Sequence, residues 1–316
     1  KKKTYADYAA FEAEYLDRVR AEVDDFGRNG VRFLENERKG SQDPFASALI
    51  EGCLEKGCDY FQGGTLLGSP LSINAQGMGT VSDSMSVIKR FVFETKEVAL
   101  DFLYQAMEAN FEGYELLRKK LEKAPCYGND DDYADETAAK IWDAYSSQVR
   151  KQNEIYKLDN ARFVNNVFSY NAMVELGELT PATPNGRRQG EAISDCIGPS
   201  QGKDSNGPTA LMNSVFKMET KDITGAFALN MKISPSLVKD AEGTAAVVRL
   251  LQTYIREKGA EVQFNYVDAT ALQEAQKEPS KHRDLVVRIA GYCEYFVNLD
   301  YKLQNEIIER TLHETA

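Results

Sequence analysis

The residue best placed for unusual chemistry is a glycine. Arg288-Ile289-Ala290-Gly291-Tyr292 follows the apolar run Leu285-Val286-Val287, so Gly291 stands where a strand runs out. In α/β sheets, ligands and chemistry gather at the carboxyl ends of strands. The plainer reading of the same spacing is a turn that needs a positive φ. Other chemistries have few residues to draw on. There are two histidines, His282 and His313, which argues against a His-based triad or a His-rich metal site. The five cysteines (Cys53, Cys58, Cys126, Cys196 and Cys293) are odd in number and lack CxxC spacing, which suggests reduced thiols and no disulfide framework.

Several motifs look functional and are better read otherwise. Asp130-Asp131-Asp132, with Asp135 and Glu136, lacks the glycine and bidentate glutamate of a calcium loop and reads as a solvated or helix-capping cluster, so no metal is expected. The glycines at 63, 64, 68, 77 and 79 form neither GxGxxG nor a phosphate loop. Arg187-Arg188 fits a surface or packing role better than an anion site.

The elements that position these residues change character near residue 160. Before it the chain reads as helical. Tyr8, Phe11, Tyr15, Val19, Val23 and Phe26 form one apolar stripe, which Gly27 and Gly30 are expected to break. Asp43-Pro44 predicts a helix start, with Phe45, Leu49 and Cys53 on one face and Gly57 as the stop. Residues 62–79 read as loop, and helical patterns resume over 81–92, 96–110, 113–123 and 136–156. After it, Phe227 to Ile233 alternates as a strand, a helix spans 243–258 with Gly259 as cap, and Val262 to Val267 alternates again. Asp268 is expected to cap a short helix, and a third strand starts at Leu285. This order implies crossovers and partly parallel pairing. Asp300 caps a last helix carrying Leu303, Ile307 and Ile308. The division is therefore 1–160, mostly helical, and 161–316, strand-bearing, within one continuous unit.

Composition narrows the function further. The 316 residues carry 38 Lys+Arg against 49 Asp+Glu, a formal charge of −11, which argues against nucleic acid as a partner. No apolar run approaches the roughly 18–20 residues of a membrane span, and no apolar stretch behind Lys1-Lys2-Lys3 suggests a secretory signal. Residue 1 is lysine, so the chain is expected to be trimmed or part of something longer.

Residues 288–292 resemble the RVxGY signature of the glycyl radical enzymes, the family of pyruvate formate-lyase and its dehydratase, lyase and decarboxylase relatives. The resemblance extends across most of the chain, in order. It takes in Asp59-Tyr60-Phe61-Gln62-Gly63-Gly64, Ala124-Pro125-Cys126-Tyr127-Gly128-Asn129-Asp130-Asp131-Asp132-Tyr133 and Ala182-Thr183-Pro184-Asn185-Gly186-Arg187-Arg188. Pro199-Ser200-Gln201-Gly202-Lys203-Asp204-Ser205-Asn206-Gly207-Pro208-Thr209, Val262-Gln263-Phe264-Asn265 and Arg283 to Arg288 complete it. The flavour is that of the glycerol/diol dehydratase and choline-lyase branch.

The resemblance implies an α/β fold, the C-terminal part of a ten-stranded barrel. This chain would supply the second half-barrel, part of the helical shell and the glycine finger loop. Gly291 would store a radical, with Arg288, Ala290 and Tyr292 supporting the loop. The physics agrees, because an α-carbon radical flattens to delocalise over both flanking amides and glycine has no Cβ to clash. No cofactor is bound in such enzymes. The radical is a modification installed by an activating enzyme that uses S-adenosylmethionine and an iron–sulfur cluster. It is passed to a cysteine thiyl that abstracts hydrogen from a small-molecule substrate, and a C–O, C–N or C–C bond breaks. A radical should be shielded from water and oxygen, which suits Leu285, Val286, Val287, Phe296 and Val297. A cytoplasmic location and a homodimer are further implications.

The resemblance breaks at the thiyl. Gly52-Cys53-Leu54-Glu55 imitates the Gly-Cys-x-Glu motif, but Cys53 falls on the apolar stripe of a predicted helix and reads as a core thiol. The true motif is expected upstream of residue 1, so the chain alone is expected to be inactive. Cys293 lies two residues after Gly291, near the expected radical; the sequence leaves a chemical role for it open and favours an incidental thiol. The alternative is a radical-bearing subunit that complements a partner supplying the cysteine. Around 161–181 the string Phe163 to Asn171 matches no subfamily; Asn165, Asn166, Ser169 and Tyr170 there, with Asn265, are the candidates for substrate contact, the plainer reading being a strand with one polar face. A half-barrel would also leave open sheet edges.

Overall fold

A computed structural model describes residues 3–220, 223–267, 269–310 and 312–313. The helices are α1 (Tyr8–Gly40), α2 (Pro44–Leu49), α3 (Cys53–Lys56), α4 (Met78–Val87), α5 (Leu100–Glu108), α6 (Glu115–Leu121), α7 (Asp132–Tyr156), α8 (Ala172–Leu179), α9 (Pro208–Phe216), α10 (Ala241–Arg256), α11 (Ala269–Lys277) and α12 (Tyr301–Glu309). The strands are β1 (Ser69–Asn74), β2 (Ala161–Asn166), β3 (Ala228–Ile233), β4 (Glu261–Asn265), β5 (Val286–Arg288), β6 (Cys293–Tyr295) and β7 (Leu312–His313).

The long first helix starts where Asp7 accepts from the Ala10 amide at 2.9 Å. It does not break at Gly27 and Gly30, as the pattern suggested; it continues to Gly40. Both glycines serve close approach. A Cβ at Gly27 would collide with the side chain of Gln152 on α7, and one at Gly30 would meet the Phe163 ring of β2 at 3.2 Å. The missing side chains let α1 lie against α7 and the sheet, and that packing outweighs the glycines' low helix propensity, about 1 kcal/mol each.

Asp43 caps α2 as expected, but Phe45 and Leu49 are exposed and only Cys53 of that stripe is buried. The region read as loop contains β1. It pairs in parallel with β2, Leu71 opposite Phe163 and Asn74 opposite Asn166. A bridge between Val167 and Phe227 carries the sheet on to β3, which pairs in parallel with β4 and β7. The third apolar run departs from the expected crossover. It forms an antiparallel hairpin with β6, Arg288 opposite Cys293, and Gly291 lies in its turn. α10 ends at Arg256, where Lys258 takes the left-handed conformation expected of Gly259. The expected cap Asp268 lies outside the described residues.

The main core joins α1, β1, α7, β2, α9, β3 and α10 around Trp142, Phe163 and Phe227. A second core lies under the glycine turn, where Val287, Ile289 and Phe296 pack with Leu272 of α11 and with Leu303 and Ile307 of α12. Asp300 caps α12 through the amides of Lys302 and Leu303.

Several strings that carry the family resemblance are stitched to one another. Asp83 of α4 accepts from the Tyr127 amide at 2.8 Å and the Ser200 hydroxyl at 2.5 Å. Asn129 accepts from the amides of Ser205 and Asn206 and donates to the Lys203 carbonyl. Arg187 is buried and donates to the carbonyls of Gly177, Thr180, Pro181, Arg188 and Glu191, so it is a structural hub. In the acidic cluster, Asp131 caps α7, while Asp130, Asp132 and Asp135 converge on Lys217 Nζ at 3.0, 2.7 and 2.9 Å.

Candidate active site

The turn at Gly291 is built from below. β4 alternates, so Gln263 and Asn265 share one face and point toward the hairpin. Asn265 acts as a strand neighbour to β5: its Oδ1 accepts from the Arg288 amide at 2.6 Å and its Nδ2 donates to the Arg288 carbonyl at 2.5 Å. Gln263 Oε1 accepts from the Gly291 amide and from Arg288 Nε, both at 2.9 Å. The Gln263 amide group donates to Glu261, which fixes the orientation of its oxygen. Ile289 closes the turn by donating its amide to the Tyr292 carbonyl at 2.9 Å. Gly291 has φ +85°, the left-handed region that glycine enters without strain.

Aromatic rings cover the turn. A Cβ at Gly291 would meet Phe168 Cε2 at 2.8 Å. The Phe168 ring packs edge-on to Tyr170 at 4.1 Å, and Tyr170 lies 6.3 Å from Tyr292. The Phe168 backbone is held in turn: its carbonyl accepts from Asn74 and Gln76, and its amide donates to Asn74. Ala290 is fully buried against Cys196 and Ala228. Gly291 itself is exposed in this chain, as is Val286, whereas Val287 and Phe296 are buried and Leu285 and Val297 half-buried; the expected shielding is partial and leaves the glycine open.

The candidates for substrate contact separate clearly. Tyr170 carries an exposed ring beside the turn. Asn165 points the other way. It is buried, donates to Ser146 of α7 at 2.8 Å and accepts from the Thr224 amide, because β2 turns that side chain toward the helices and Asn166 toward the open face. Ser169 is buried, its hydroxyl accepting from the Cys196 amide at 2.7 Å. Asn265 is buried beneath Arg288. All three are buried and hydrogen-bonded within this chain, whereas Tyr170 faces outward.

Among the thiols, Cys293 is exposed, with its Sγ 3.6 Å from Arg288 Nη1. Cys53 is buried at the start of α3. Burial pushes the Cys196 thiol well above its ordinary range, so it stays an uncharged S–H.

Gln263 and Phe168 were not singled out in the sequence. The signal for Gln263 was present, since it shares the polar face of β4 with Asn265. Nothing in the sequence marks Phe168 as the ring over Gly291. Behind the turn lies a second group with no local signature: Asp195, Glu306, Arg310 and Lys232, all buried. Burial works against the Arg310 cation, but the Glu306 and Asp195 carboxylates more than offset it and hold the guanidinium above its ordinary value. Burial lowers Lys232 to about 8, although its ammonium donates to the Ile308 carbonyl at 2.8 Å.

A family model described as Pyruvate formate lyase-like matches residues 1–177, and one described as Glycine radical matches residues 193–297. The chain belongs to the glycyl radical enzyme family. Trans-4-hydroxy-L-proline dehydratase of Clostridioides difficile is 40% identical over 273 residues, covering 85% of this chain and 34% of the relative. Isethionate sulfite-lyase of Bilophila wadsworthia is 42% identical over 241 residues, covering 75% of this chain and 29% of the relative. The glycerol-bound B12-independent glycerol dehydratase of Clostridium butyricum aligns with a TM-score of 0.89 and 30% identity, over 98% of this chain and 39% of that chain. The chain thus spans about a third of the length of these curated relatives. The glycyl radical enzymes it resembles in structure are barrels of mixed α/β content. Among the described residues no helix is long and apolar enough to cross a membrane.

Proposed function

We propose that this chain is the C-terminal, radical-storing part of a glycyl radical lyase or dehydratase, and that Gly291 is the storage site. The observation that carries this reading is the glycine turn itself: no Cβ, a left-handed φ, both flanks pinned, and an aromatic ring against the Cα. These residues fit the group. A radical there would supply hydrogen abstraction from substrate by way of a thiyl cysteine. The chain's own part is mechanical. Gln263 holds the Gly291 amide and the Arg288 side chain, Asn265 holds the Arg288 backbone, and buried Ala290 anchors the turn. Phe168, Tyr170 and Tyr292 wall one side of it.

The fold reading is the second half-barrel of a ten-stranded barrel, with most of its strands in residues 161–316 and with residues 1–160 supplying mostly shell and, in β1, one strand. It is supported by β1, which among the described residues pairs with β2 alone and leaves its other edge open. Parallel sheets are rarely left so exposed. The remainder of the enzyme would close that edge, cover the exposed Gly291 and carry the thiyl cysteine. By itself the chain is inactive. The substrate is a small metabolite losing a C–O, C–N or C–C bond, in keeping with the dehydratases and lyases among the relatives. The activating partner is an S-adenosylmethionine iron–sulfur enzyme, the location is cytoplasmic, and the assembled enzyme is a homodimer.

Anaerobic activation of the complete enzyme should give a glycyl doublet by electron spin resonance, and air should then cut the chain at Gly291. A doublet that persists in Gly291→Ala overturns the assignment. Reading the DNA upstream of the Lys1 codon separates the two forms of the proposal. An open frame through a Gly-Cys-x-Glu segment means one enzyme. A stop codon and fresh start mean a radical-bearing subunit that works with a cysteine-bearing partner.

A further inference from the structure

Behind the glycine turn, α12 ends on Arg310, and the guanidinium of this residue is spent entirely inside the protein. Its Nε and Nη2 donate to the two oxygens of Glu306, both at 2.9 Å. Nη2 also lies 3.2 Å from Asp195 Oδ2. Nη1 donates to the Ile289 carbonyl at 3.2 Å. Arg310 is 9% exposed, Glu306 2% and Asp195 6%, so none of these contacts is a solvated surface pair. Each carboxylate is itself fixed: Asp195 Oδ2 accepts from Asn230 of β3 at 2.5 Å, and Glu306 Oε1 accepts from Gln201 at 3.3 Å.

We infer that Arg310 is a positioning residue for Gly291, a latch that ties the glycine turn to α12 and to the 195–201 loop through the Ile289 carbonyl. The geometry is one that a planar fork supplies. Two parallel bonds to Glu306 orient the guanidinium plane, and the remaining nitrogen is then aimed at one backbone carbonyl. Ile289 precedes Gly291 by two residues. The turn is therefore held from two sides, by Gln263 at the amide of Gly291 and by Arg310 at the carbonyl of Ile289. β5 and β6 have only three residues each, too few to hold the turn by strand pairing alone. The inference rests on the reading of Gly291 as the functional residue, but its structural content can be tested without a radical.

The test is amide hydrogen exchange on the full, unactivated chain, comparing the native protein with Arg310→Lys and Glu306→Gln. Lysine keeps the charge but cannot reach two carboxylates and the carbonyl together. Glutamine keeps the shape of Glu306 and removes the charge that orients the fork. Protection over residues 287–292 should fall by about tenfold or more in both variants, with α7 unchanged. Exchange over 287–292 that stays native in both variants overturns the latch. So does native exchange in Arg310→Lys alone, since charge without the fork would then suffice. A uniform loss across α7 and the turn in both variants also overturns it, because Arg310 would then be a general stability residue. If the latch fails while the complete enzyme still forms a Gly291 radical, only this inference falls. If the latch holds and no radical forms, the functional reading falls instead.

Discussion

The Phe168 ring rests on the Cα of Gly291, so close that a methyl group added to the glycine would meet Cε2 at 2.8 Å. Two effects then oppose any side chain at Gly291, the left-handed φ and the ring. They can be separated by experiment. Gly291→Ala should cost about 2–3 kcal/mol, of which about 1–2 kcal/mol is the left-handed backbone. In a Phe168→Ala background the clash is gone and only the backbone part should remain. A double-mutant cycle by urea unfolding reads the difference. A coupling energy of zero would mean that Phe168 does not pack on the glycine.

Gln263 should matter more than an ordinary strand residue. Gln263→Leu leaves the Gly291 amide and Arg288 Nε without their shared acceptor and should cost about 1–3 kcal/mol. Gln263→Glu keeps an acceptor for both donors, Arg288 Nε among them, so it should cost less than Gln263→Leu. Urea unfolding of the two variants at neutral pH gives the difference; equal losses would mean that the shared acceptor does not matter.

Arg187 is a second such centre, away from the turn. Its five carbonyl partners come from two stretches of chain, 177–181 and 188–191. Lysine cannot serve them, so Arg187→Lys should destabilise by about 3 kcal/mol in spite of the conserved charge. A loss below about 0.5 kcal/mol, typical of surface changes, would leave Arg187 with the surface role, the other of the two that its sequence allows.

Asp83 gives the chain a pH dependence. Burial raises its carboxyl from the ordinary 3.8 to about 7, against the pull of its bonds to Ser200 and Tyr127. The folded chain therefore holds a proton between these values that the unfolded chain has released. Stability falls as pH rises through that window, by about 4 kcal/mol at most, and is flat with respect to this group on either side. Asp83→Asn should remove the slope. Denaturation curves collected from pH 4 to 8, spanning that window, should converge on this result; equal slopes in variant and native protein would refute it.

The order of elements was legible in the sequence because it rests on local causes. Asp43, Asp131 and Asp300 cap helices where their neighbours are short of acceptors, and alternation marks β3 and β4. The glycine turn was equally legible, since a glycine after an apolar run opens the left-handed backbone that a turn needs, and the family's strings lie in the sequence itself. What only the tertiary structure decided concerns partners that are distant in the chain. Gly27 and Gly30 read as helix breakers and prove to be contact points, because α7 and β2 arrive against them. Asn165 read as a substrate contact and faces α7, because the register of β2 on β1 sends every second side chain away from the open face. The third apolar run read as a crossover strand and became a hairpin, because Asn265 supplies β5 with side-chain hydrogen bonds in place of a neighbouring strand. Phe168, Gln263 and Arg310 reach Gly291 and its turn from three separate parts of the chain. Local sequence records the glycine; only folding brings together the groups that hold it.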